Sequence, residues 1–252
     1  MTTEMIILKS KQEIETMRVA SRIVAEVLQE LIKAARPGIS TLELDAIAER
    51  RIRDRGAIPA FKGYRGFPNT LCVSLNEQVV HGIPSKRRLK EGDIVSLDLG
   101  AIWDGYYGDA AVTVPVGRIA PATERLLTTA EASLGVGIQS ARPGNYLSDI
   151  SHAIQMCAES YGYNVVRAFV GHGIGTALHE EPQVPNFGPP GRGPRLKAGM
   201  VLAIEPMVNV GDAEVEILED GWTVVTADGQ LSAHFEHTIA ITDNGPEILT
   251  VV

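Results

Sequence analysis

An internal repeat limits the fold of this 252-residue chain more than any other feature of its sequence. The tetrapeptide ARPG occurs at 35–38 and again at 141–144, and each copy precedes a helix-like stretch. Gly56 closes the first stretch and Gly162 closes the second, and both pairs of landmarks are 106 residues apart. Chance turn signals would also produce such short motifs, but the constant spacing favours duplication.

The length of the repeat indicates one domain built from two copies of an α+β unit. Solenoid repeats recur about every 20–50 residues, so this period is too long for them. A third landmark agrees, because LKEGDIVSLDLG resembles LKAGMVLAIEPM at an offset of 107 residues. We therefore predict a single domain over residues 1–252, with halves at roughly 10–117 and 118–245. A pseudo-two-fold axis would then place Asp98 of one half opposite Glu205 of the other.

Local patterns predict the elements of each half. Ser10-x-x-Glu13 and Ser40-x-x-Glu43 are capping boxes, which are typical of helix starts. The first helix is expected to end at Arg36-Pro37-Gly38. Its buried face is predicted to carry Ile14, Met17, Val24, Leu28 and Leu31. Strands are predicted at 71–75, 93–102, 106–116, 200–208 and 233–242, helices at 121–140 and 147–161, and a loop at 185–199.

Four acidic residues and a histidine lie on or beside strand-like apolar runs, where a carboxylate is costly to bury unless it is paired or binds a metal ion. They are Asp98 in IVSLDLG, Asp109 in YYGDAAVTV, His172 in VGHGIG, Glu205 in VLAIEPM and Glu236 in HFEHTIAI. This set has the ligand chemistry of a two-metal hydrolytic site, in which carboxylates bridge ions about 3.5–4 Å apart. Oxygen ligands with one imidazole and no thiolate suit Mn²⁺, Fe²⁺ or Co²⁺ at least as well as Zn²⁺.

Two of these carboxylates also have plainer interpretations. Asp104-Gly105 predicts a hairpin turn that returns Asp109 toward Asp98, but Asp109 follows a glycine, and a turn cap is the alternative. Glu236 is predicted in the middle of a strand. Because side chains alternate along a strand, the opposite arrangement, with Glu236 outward and His237 inward, stays open.

Three histidines are candidates for binding. The glycines around His172 in GHGIGTALHEEP imply a close approach of the backbone, as at a ligand site. The seven-residue interval between His172 and His179 matches no compact zinc motif, so spacing alone does not assign them. We interpret His172 as a metal ligand, and His81 and His179 as hydrogen-bonding groups around a substrate.

Composition and absent motifs exclude several classes of function. The net charge of −8 argues against a general nucleic-acid binder, which would show a basic face. The N-terminal sequence matches neither a signal peptide nor a membrane anchor, and the two cysteines suit a reducing compartment, so a cytoplasmic location is expected. The chain has no P-loop, no G-x-G-x-x-G after a strand and no G-x-S-x-G elbow. Cys72 is interpreted as a buried inert thiol and Cys157 as part of a helix core.

Five stretches, in order, resemble the bacterial-type class I methionine aminopeptidases, and the resemblance covers nearly the whole chain. They are GYRGFPNTLCVSLNEQVVHGIP, GDIVSLDLGAIWDGYYGDAAVT, GHGIGTALHEEP, AIEPM and SAHFEHT. The resemblance implies the α+β pita-bread fold, with pseudo-two-fold symmetry and a curved antiparallel sheet flanked by helices. It also implies a metalloexopeptidase that removes the initiator methionine from nascent proteins when the second residue is small, by attack of a metal-bound hydroxide on the Met carbonyl.

The same resemblance implies two divalent ions per chain, Co²⁺, Mn²⁺, Fe²⁺ or Zn²⁺. Their ligands would be Asp98, Asp109, His172, Glu205 and Glu236. Asp109 and Glu236 would bridge the ions, and Glu205 is the best candidate for the general base. Some members of the family also bind a monovalent cation near the positions of Asn76 and Ser232.

The resemblance further implies a set of substrate contacts. His81 and His179 would contact the substrate and stabilise the tetrahedral intermediate. The pocket for the methionine side chain would include Tyr64, Phe67, Cys72 and Trp222, although Trp222 alone would be interpreted as a strand aromatic in the core. Three positions that line or flank this pocket depart from the commonest pattern: Phe61 replaces a frequent Cys, Arg65 a frequent His and Leu178 a frequent Phe.

The resemblance also implies the partners and the location of the protein. We expect a monomer that acts on nascent N-termini, near the exit tunnel of the ribosome, with no nucleic-acid specificity and no membrane. Thr2 is small, so the enzyme would process its own Met1.

An X-Pro peptidase of the same fold is the enzymatic alternative, but it usually carries a large extra N-terminal domain. A binding module that lost catalysis is the other alternative, and the five intact ligands disfavour it.

Overall fold

The structure, a computed structural model, describes residues 5–252. Met1 and Thr2, which carry the self-processing expectation, lie outside the described residues. The α-helices are α1 (Lys11–Ala34), α2 (Thr41–Asp54), α3 (Pro121–Ser140) and α4 (Leu147–Ser160). The strands are β1 (Ile58–Pro59), β2 (Leu71–Leu75), β3 (Gln78–Val80), β4 (Ile94–Trp103), β5 (Tyr106–Pro115), β6 (Asn164–Val165), β7 (Gly171–Gly173), β8 (Glu180–Val184), β9 (Val201–Ile204), β10 (Met207–Asn209), β11 (Val215–Ile217), β12 (Val224–Thr226), β13 (Ser232–His234), β14 (His237–Thr242) and β15 (Gly245–Ile248).

The strand pairs are antiparallel, which confirms the α+β class. In the first half, β4 pairs with β5 on one side and with β1 and β2 on the other. In the second half, the order is β15-β14-β9-β7-β8. Two smaller sheets, β13-β10-β6 and β11-β12-β3, complete the set. Within residues 5–252, no helix combines the length and the apolar composition that a membrane span requires.

Both capping boxes form as predicted. The Glu13 amide lies 3.3 Å from the Ser10 hydroxyl oxygen, and the Ser10 amide lies 2.7 Å from the Glu13 carboxylate. Ser40 and Glu43 make the same reciprocal bonds at the start of α2. The predicted apolar face of α1 is buried, and this face covers the hairpin of β4 and β5.

The Asp104-Gly105 turn also forms as predicted. Trp103 pairs with Tyr106 across a two-residue loop. Asp104 has φ 47° and Gly105 has φ 79°. Two positive φ values are typical of the type I′ turn, whose twist matches that of the flanking strands. The turn therefore fixes the register of the ten-residue strands β4 and β5.

Equivalent contacts occur at both copies of ARPG. Helices α2 and α4 begin 106 residues apart and end 106 residues apart. The carbonyl of Gly38 accepts a hydrogen bond from the Arg88 guanidinium, and the carbonyl of Gly144 accepts one from Arg195 at 2.7 Å. The division into halves near residue 117 stays a prediction.

Two predicted strands are each interrupted in the structure. The stretch predicted at 200–208 consists of β9 and β10, separated by Glu205-Pro206, and the stretch predicted at 233–242 consists of β13 and β14, separated by Phe235-Glu236. The interruptions are adjacent, because Ile204 pairs with His237 and Met207 pairs with His234. The mid-strand placement of Glu236 was therefore wrong, and both glutamates lie where the chain passes from one sheet to another.

Asp45 on α2 holds the segment that leads into β2. Its carboxylate accepts hydrogen bonds from the amides of Thr70 at 2.9 Å and Leu71 at 3.0 Å, and from the side chain of Asn69 at 2.8 Å. Asp45→Ala is expected to lower the free energy of unfolding by about 3 kcal/mol, because two buried N–H groups lose their acceptor. Urea unfolding measures this. Asp54→Ala, at the exposed end of α2, is the matched control, and an equal loss in both variants would contradict the assignment.

Candidate metal centre and substrate pocket

One cavity of about 260 Å³ contains every residue that the sequence assigned to chemistry or to the substrate pocket. Its lining includes the five expected metal ligands, His81 and His179, the four expected pocket residues, and the three positions that depart from the family pattern. Phe169 also lines the cavity, and no sequence pattern had singled it out. The residues come from both halves of the chain, so only the folded sheet brings them together.

The β4–β5 hairpin places two carboxylates on one face. Asp109 pairs with Gly100, and Asp98 pairs with Ala111, so Asp98 and Asp109 are diagonal neighbours. Asp109 lies within β5 and is 4% exposed, so the turn-cap interpretation was wrong. Glu236 joins them from the other half, because its amide donates to the carbonyl of Ala111 at 2.9 Å.

Three of the five expected ligands converge closely. Asp109, His172 and Glu236 each offer a donor atom, and these atoms all lie within 4.8 Å of one another. One oxygen each of Asp98, Asp109 and Glu236 is buried without a hydrogen-bond partner. Buried polar groups are nearly always paired, so such oxygens require an explanation. A cation provides one, and the donor set fits a hard or borderline divalent ion.

Glu205 approaches this group from the interruption between β9 and β10. Its two carboxylate oxygens lie 3.6 Å from Nε2 of His172 and 3.6 Å from Nε2 of His234. His234 is 2% exposed, and its Nε2 has no hydrogen-bond partner. No sequence pattern assigned a role to His234. The signal was present in SAHFEHT, where two histidines flank a glutamate in an apolar run.

His172 is in the form that binds metals. Its Nδ1 lies 2.9 Å from the carbonyl of Gly173, so Nδ1 carries the proton and Nε2 is free to act as a ligand. Burial lowers the pKa of His172 to about 3. The glycine before His172 lets β7 approach β9 closely, because a Cβ on Gly171 would lie 2.4 Å from the carbonyl of Ala203.

The carboxyl groups in the cavity hold protons more tightly than usual. Burial raises the pKa of Asp98 to about 7 and that of Glu205 to about 8. Burial, together with the charges of neighbouring carboxylates, raises the pKa values of Asp109 and Glu236 well above the usual range. Like charges in a water-poor site repel one another, so the site requires either protons or cations.

The metal-free protein is therefore expected to lose stability as the pH rises from about 6.5 to about 8. Folding raises the pKa values of Asp98 and Glu205, so the native state binds more protons than the unfolded chain. The stability that these protons contribute is lost as the pH rises through the pKa values of the folded state. The buried histidines have lowered pKa values, so they make stability increase with pH, but only below about pH 6.5.

Urea unfolding of EDTA-treated protein at these two pH values tests the expectation. Saturating Mn²⁺ should reverse the trend, because deprotonated carboxylates bind the metal. The Asp98→Asn, Glu205→Gln double variant should show a flatter dependence without metal. A metal-free protein that becomes more stable over this interval would contradict the raised pKa values.

His179 lies beside His172, with ring centroids 4.2 Å apart. The antiparallel pairing of β7 and β8 brings them together, although the sequence interval matched no motif. The Nδ1 of His179 lies 2.8 Å from the hydroxyl of Tyr64, and the two rings stack. Burial, with the nearby charge of Arg65, lowers the pKa of His179 to about 4, so the ring is neutral near pH 7.

Aromatic rings form the apolar end of the cavity. Phe67 and Trp222 meet edge to face with centroids 5.1 Å apart. The ring of His81 lies 5.6 Å from that of Phe169 and 6.3 Å from that of Trp222. Trp222 precedes β12 and lines the cavity, so its interpretation as a strand aromatic in the core was wrong.

The two cysteines differ in environment. Cys72 is buried within β2, and burial, with the charge of Asp98, raises the pKa of its thiol well above the usual range. The inert thiol predicted for Cys72 agrees with this. Cys157 on α4 is partly exposed, so its assignment to the core was wrong.

The two residues at the expected monovalent-cation position, Asn76 and Ser232, are neighbours in the structure. The carbonyl of Asn76 accepts a hydrogen bond from the amide of Ser232 at 2.9 Å. The Ser232 hydroxyl is buried without a hydrogen-bond partner. Asn76 has φ 56°, and its side chain bonds to Asp93 at 3.0 Å and to the amide of Ile94 at 3.0 Å.

Comparisons with known proteins agree with this geometry. The model of metallopeptidase family M24 matches residues 15–243. Methionine aminopeptidase 1 of Bacillus subtilis is 59% identical over 248 residues, which are 98% of this chain and 100% of the relative. The crystal structure of methionine aminopeptidase from Thermotoga maritima superposes with a TM-score of 0.97 at 49% identity, covering 98% of this chain and 100% of that one.

A prolidase shares the fold at a greater distance. The prolidase of Pyrococcus furiosus is 25% identical with a TM-score of 0.81, and the match covers 98% of this chain but 66% of the prolidase. The pseudo-symmetric pita-bread fold is thereby confirmed. The match extends over the whole of the aminopeptidases but not over the prolidase. The chain belongs to metallopeptidase family M24 and, within it, to the methionine aminopeptidases.

Proposed function

We propose that this protein is a metal-dependent hydrolase that removes the N-terminal methionine from nascent proteins whose second residue is small. One observation carries the proposal: a single cavity joins a cluster of buried carboxylates and a histidine to an end lined by aromatic rings. Such a cavity holds an apolar side chain at one end and a scissile bond at the other.

Two divalent ions fit the donor groups. Asp98, Asp109, His172, Glu205 and Glu236 would hold them, and the buried oxygens without a partner on Asp98, Asp109 and Glu236 support this set. When bound, the ions polarise the Met carbonyl and lower the pKa of a water molecule, so that hydroxide is available at neutral pH. We also propose that the divalent ions are Co²⁺, Mn²⁺, Fe²⁺ or Zn²⁺. A monovalent cation is proposed to bind near Asn76 and Ser232.

Glu205 is the proposed general base. Its carboxylate faces the cavity, and its pKa is raised to about 8 by burial. A carboxylate whose pKa lies near the working pH accepts a proton from the attacking water and returns it to the leaving amine. His234 borders the same carboxylate and restricts where it can turn.

His179 is proposed to donate a hydrogen bond to the carbonyl oxygen of the substrate. The ring is neutral, so only one nitrogen carries a proton. If the Tyr64 hydroxyl donates to Nδ1, Nε2 carries that proton and can stabilise the negative charge that develops on the oxygen. His81 is proposed to contact the substrate backbone from the side of Trp222.

The aromatic end of the cavity is proposed to bind the methionine side chain. Thioether sulfur packs favourably against ring edges, and Phe67 and Trp222 offer such edges. Cys72 and Tyr64 complete the pocket. Phe61, Arg65 and Leu178 line the same cavity, so they are proposed to set its shape and its inhibitor profile.

We also propose that the protein works in the cytoplasm, as a monomer, on chains leaving the ribosome. The two free cysteines and the need for nascent N-termini support this proposal. Sedimentation equilibrium tests the monomer directly, and a dimer at micromolar concentration would contradict it.

Peptide cleavage tests the proposed function. EDTA-stripped protein is given Mn²⁺, Fe²⁺, Co²⁺ or Zn²⁺ in turn and is offered Met-Ala-Ser, Met-Phe-Ser and Ala-Pro-Ala. Release of methionine from Met-Ala-Ser alone, restored by metal, is the expected result. Cleavage before proline would assign the protein to the X-Pro peptidases instead. With metal bound, cleavage of none of these peptides would favour a binding module.

A further inference from the structure

A buried ion pair lies outside the cavity and directly behind the loop that carries His179. The ammonium of Lys9 contacts the carboxylate of Glu180, and these side chains are 4% and 9% exposed. In every other Lys or Arg ion pair within residues 5–252, both side chains are at least 23% exposed. A buried pair contributes little net stability, so its presence suggests another role.

Glu180 holds the loop through its second oxygen. This oxygen accepts hydrogen bonds from the amides of Thr176 at 2.8 Å and Ala177 at 3.2 Å. The carboxylate thus closes the turn between β7 and β8 while its other oxygen contacts Lys9. His179 immediately precedes Glu180, so the position of its backbone depends on this carboxylate.

Lys9 is itself fixed in place. Its amide donates to the carbonyl of Gly199 at 2.7 Å, and its ammonium also donates to the carbonyl of Ile7 at 3.2 Å. The loop backbone runs against the pair at Gly175, where a Cβ would lie 2.5 Å from the Glu180 carboxylate and 2.5 Å from the Lys9 side chain. The amide of Tyr107 on β5 holds the same loop through the carbonyl of Gly175, at 2.9 Å.

We propose that Lys9 and Glu180 are positioning residues, which fix the 173–179 loop so that His179 keeps its hydrogen bond to Tyr64 and faces the substrate. The segment before α1 thereby takes part in forming the active site, although Lys9 and Glu180 are 171 residues apart. This inference rests on the proposed function, in which His179 acts on the substrate carbonyl.

A double-mutant cycle tests the inference. Lys9→Met with Glu180→Gln removes both charges but keeps an oxygen that can accept from Thr176 and Ala177, so no buried charge is left unpaired. In the wild-type background, this change is expected to lower kcat by about 10–100-fold, because small displacements of a catalytic group are costly. KM and the metal content should stay unchanged. In the His179→Ala background, the same change should cause no further loss.

The more exposed pair of Arg18 on α1 and Glu247 on β15 is the matched control. Arg18→Met with Glu247→Gln should leave kcat unchanged in both backgrounds. An equal loss of kcat from the Lys9 and Glu180 changes with and without His179 would mean a merely structural role and would overturn the inference.

A second readout does not depend on activity. The ¹⁵N signals of the His179 imidazole report which ring nitrogen carries the proton. They are expected to shift in the Lys9→Met, Glu180→Gln variant, as the bond to Tyr64 is lost, and to stay in place in the Arg18 and Glu247 control. Unchanged His179 signals in the first variant would overturn the inference. If the wild-type protein released no methionine, the proposed function would fail, and this readout would still decide the positioning role.

Discussion

Asp109→Asn is expected to abolish tight metal binding and to lower kcat/KM by about 10³-fold or more, because several kcal/mol of charge stabilisation depend on the metal. Asp109 belongs to the close group with His172 and Glu236, and one of its oxygens has no protein partner. Asparagine keeps the shape of the side chain but not its charge. Isothermal titration with Mn²⁺ and steady-state cleavage of Met-Ala-Ser measure the two effects.

Asp109→Asn should make the metal-free protein more stable, although it weakens metal binding and activity. Burial and the neighbouring carboxylates raise the pKa of Asp109, so its ionised form is unfavourable in the metal-free protein. Metal-free Asp109→Asn is therefore expected to unfold at a higher urea concentration than the metal-free wild type at pH 8. Asp104→Asn, in the turn of the same hairpin, is the control and should change neither property. Unchanged Mn²⁺ affinity in Asp109→Asn would contradict its role as a ligand.

Glu205→Gln is expected to lower kcat by about 10²–10⁴-fold, the usual contribution of general acid–base catalysis, with a much smaller change in KM. Glutamine fills the same space between His172 and His234 but cannot accept the proton. The limb of the pH–rate profile that reports the base should also disappear. Rates at saturating Met-Ala-Ser and Mn²⁺, with bound metal determined for each variant, measure the effect.

The matched control for Glu205→Gln is Glu216→Gln on the exposed strand β11. It should leave kcat and bound metal unchanged. A near-normal kcat for Glu205→Gln, with normal metal content, would rule out the base role and would direct attention to the other carboxylates of the cavity.

Elements set by local chemistry were predicted well from the sequence. The capping boxes at Ser10 and Ser40 form as expected, since each depends on residues three positions apart. The strand β2 has the predicted bounds, and the Asp104-Gly105 turn sets the register of β4 and β5. The positions of Asp98 and Asp109 on one face follow from that register.

Features that depend on distant pairing were not predictable in the same way. Pro206 signals the interruption after β9, but no proline or glycine marks the matching interruption at Glu236, which follows from the passage of that strand between two sheets. The proximity of His172 and His179 needs the return of β8 along β7. The contact between Lys9 and Glu180 joins residues that are 171 positions apart in the sequence and has no local signal.

The resemblance to a family supplied what residue spacing left open. Spacing did not assign His179, and it favoured a core position for Trp222. The structure brings both residues to one cavity with Phe67 and His81. The individual roles of these residues stay proposals.

Anomalous diffraction from crystals soaked in Mn²⁺ tests the central claim most directly. The expected result is two peaks in the cavity that share Asp109 and Glu236, with Asp98, His172 and Glu205 as the remaining ligands. Peaks confined to other carboxylates, or an empty cavity at saturating Mn²⁺, would contradict the assignment of these five residues as the metal centre.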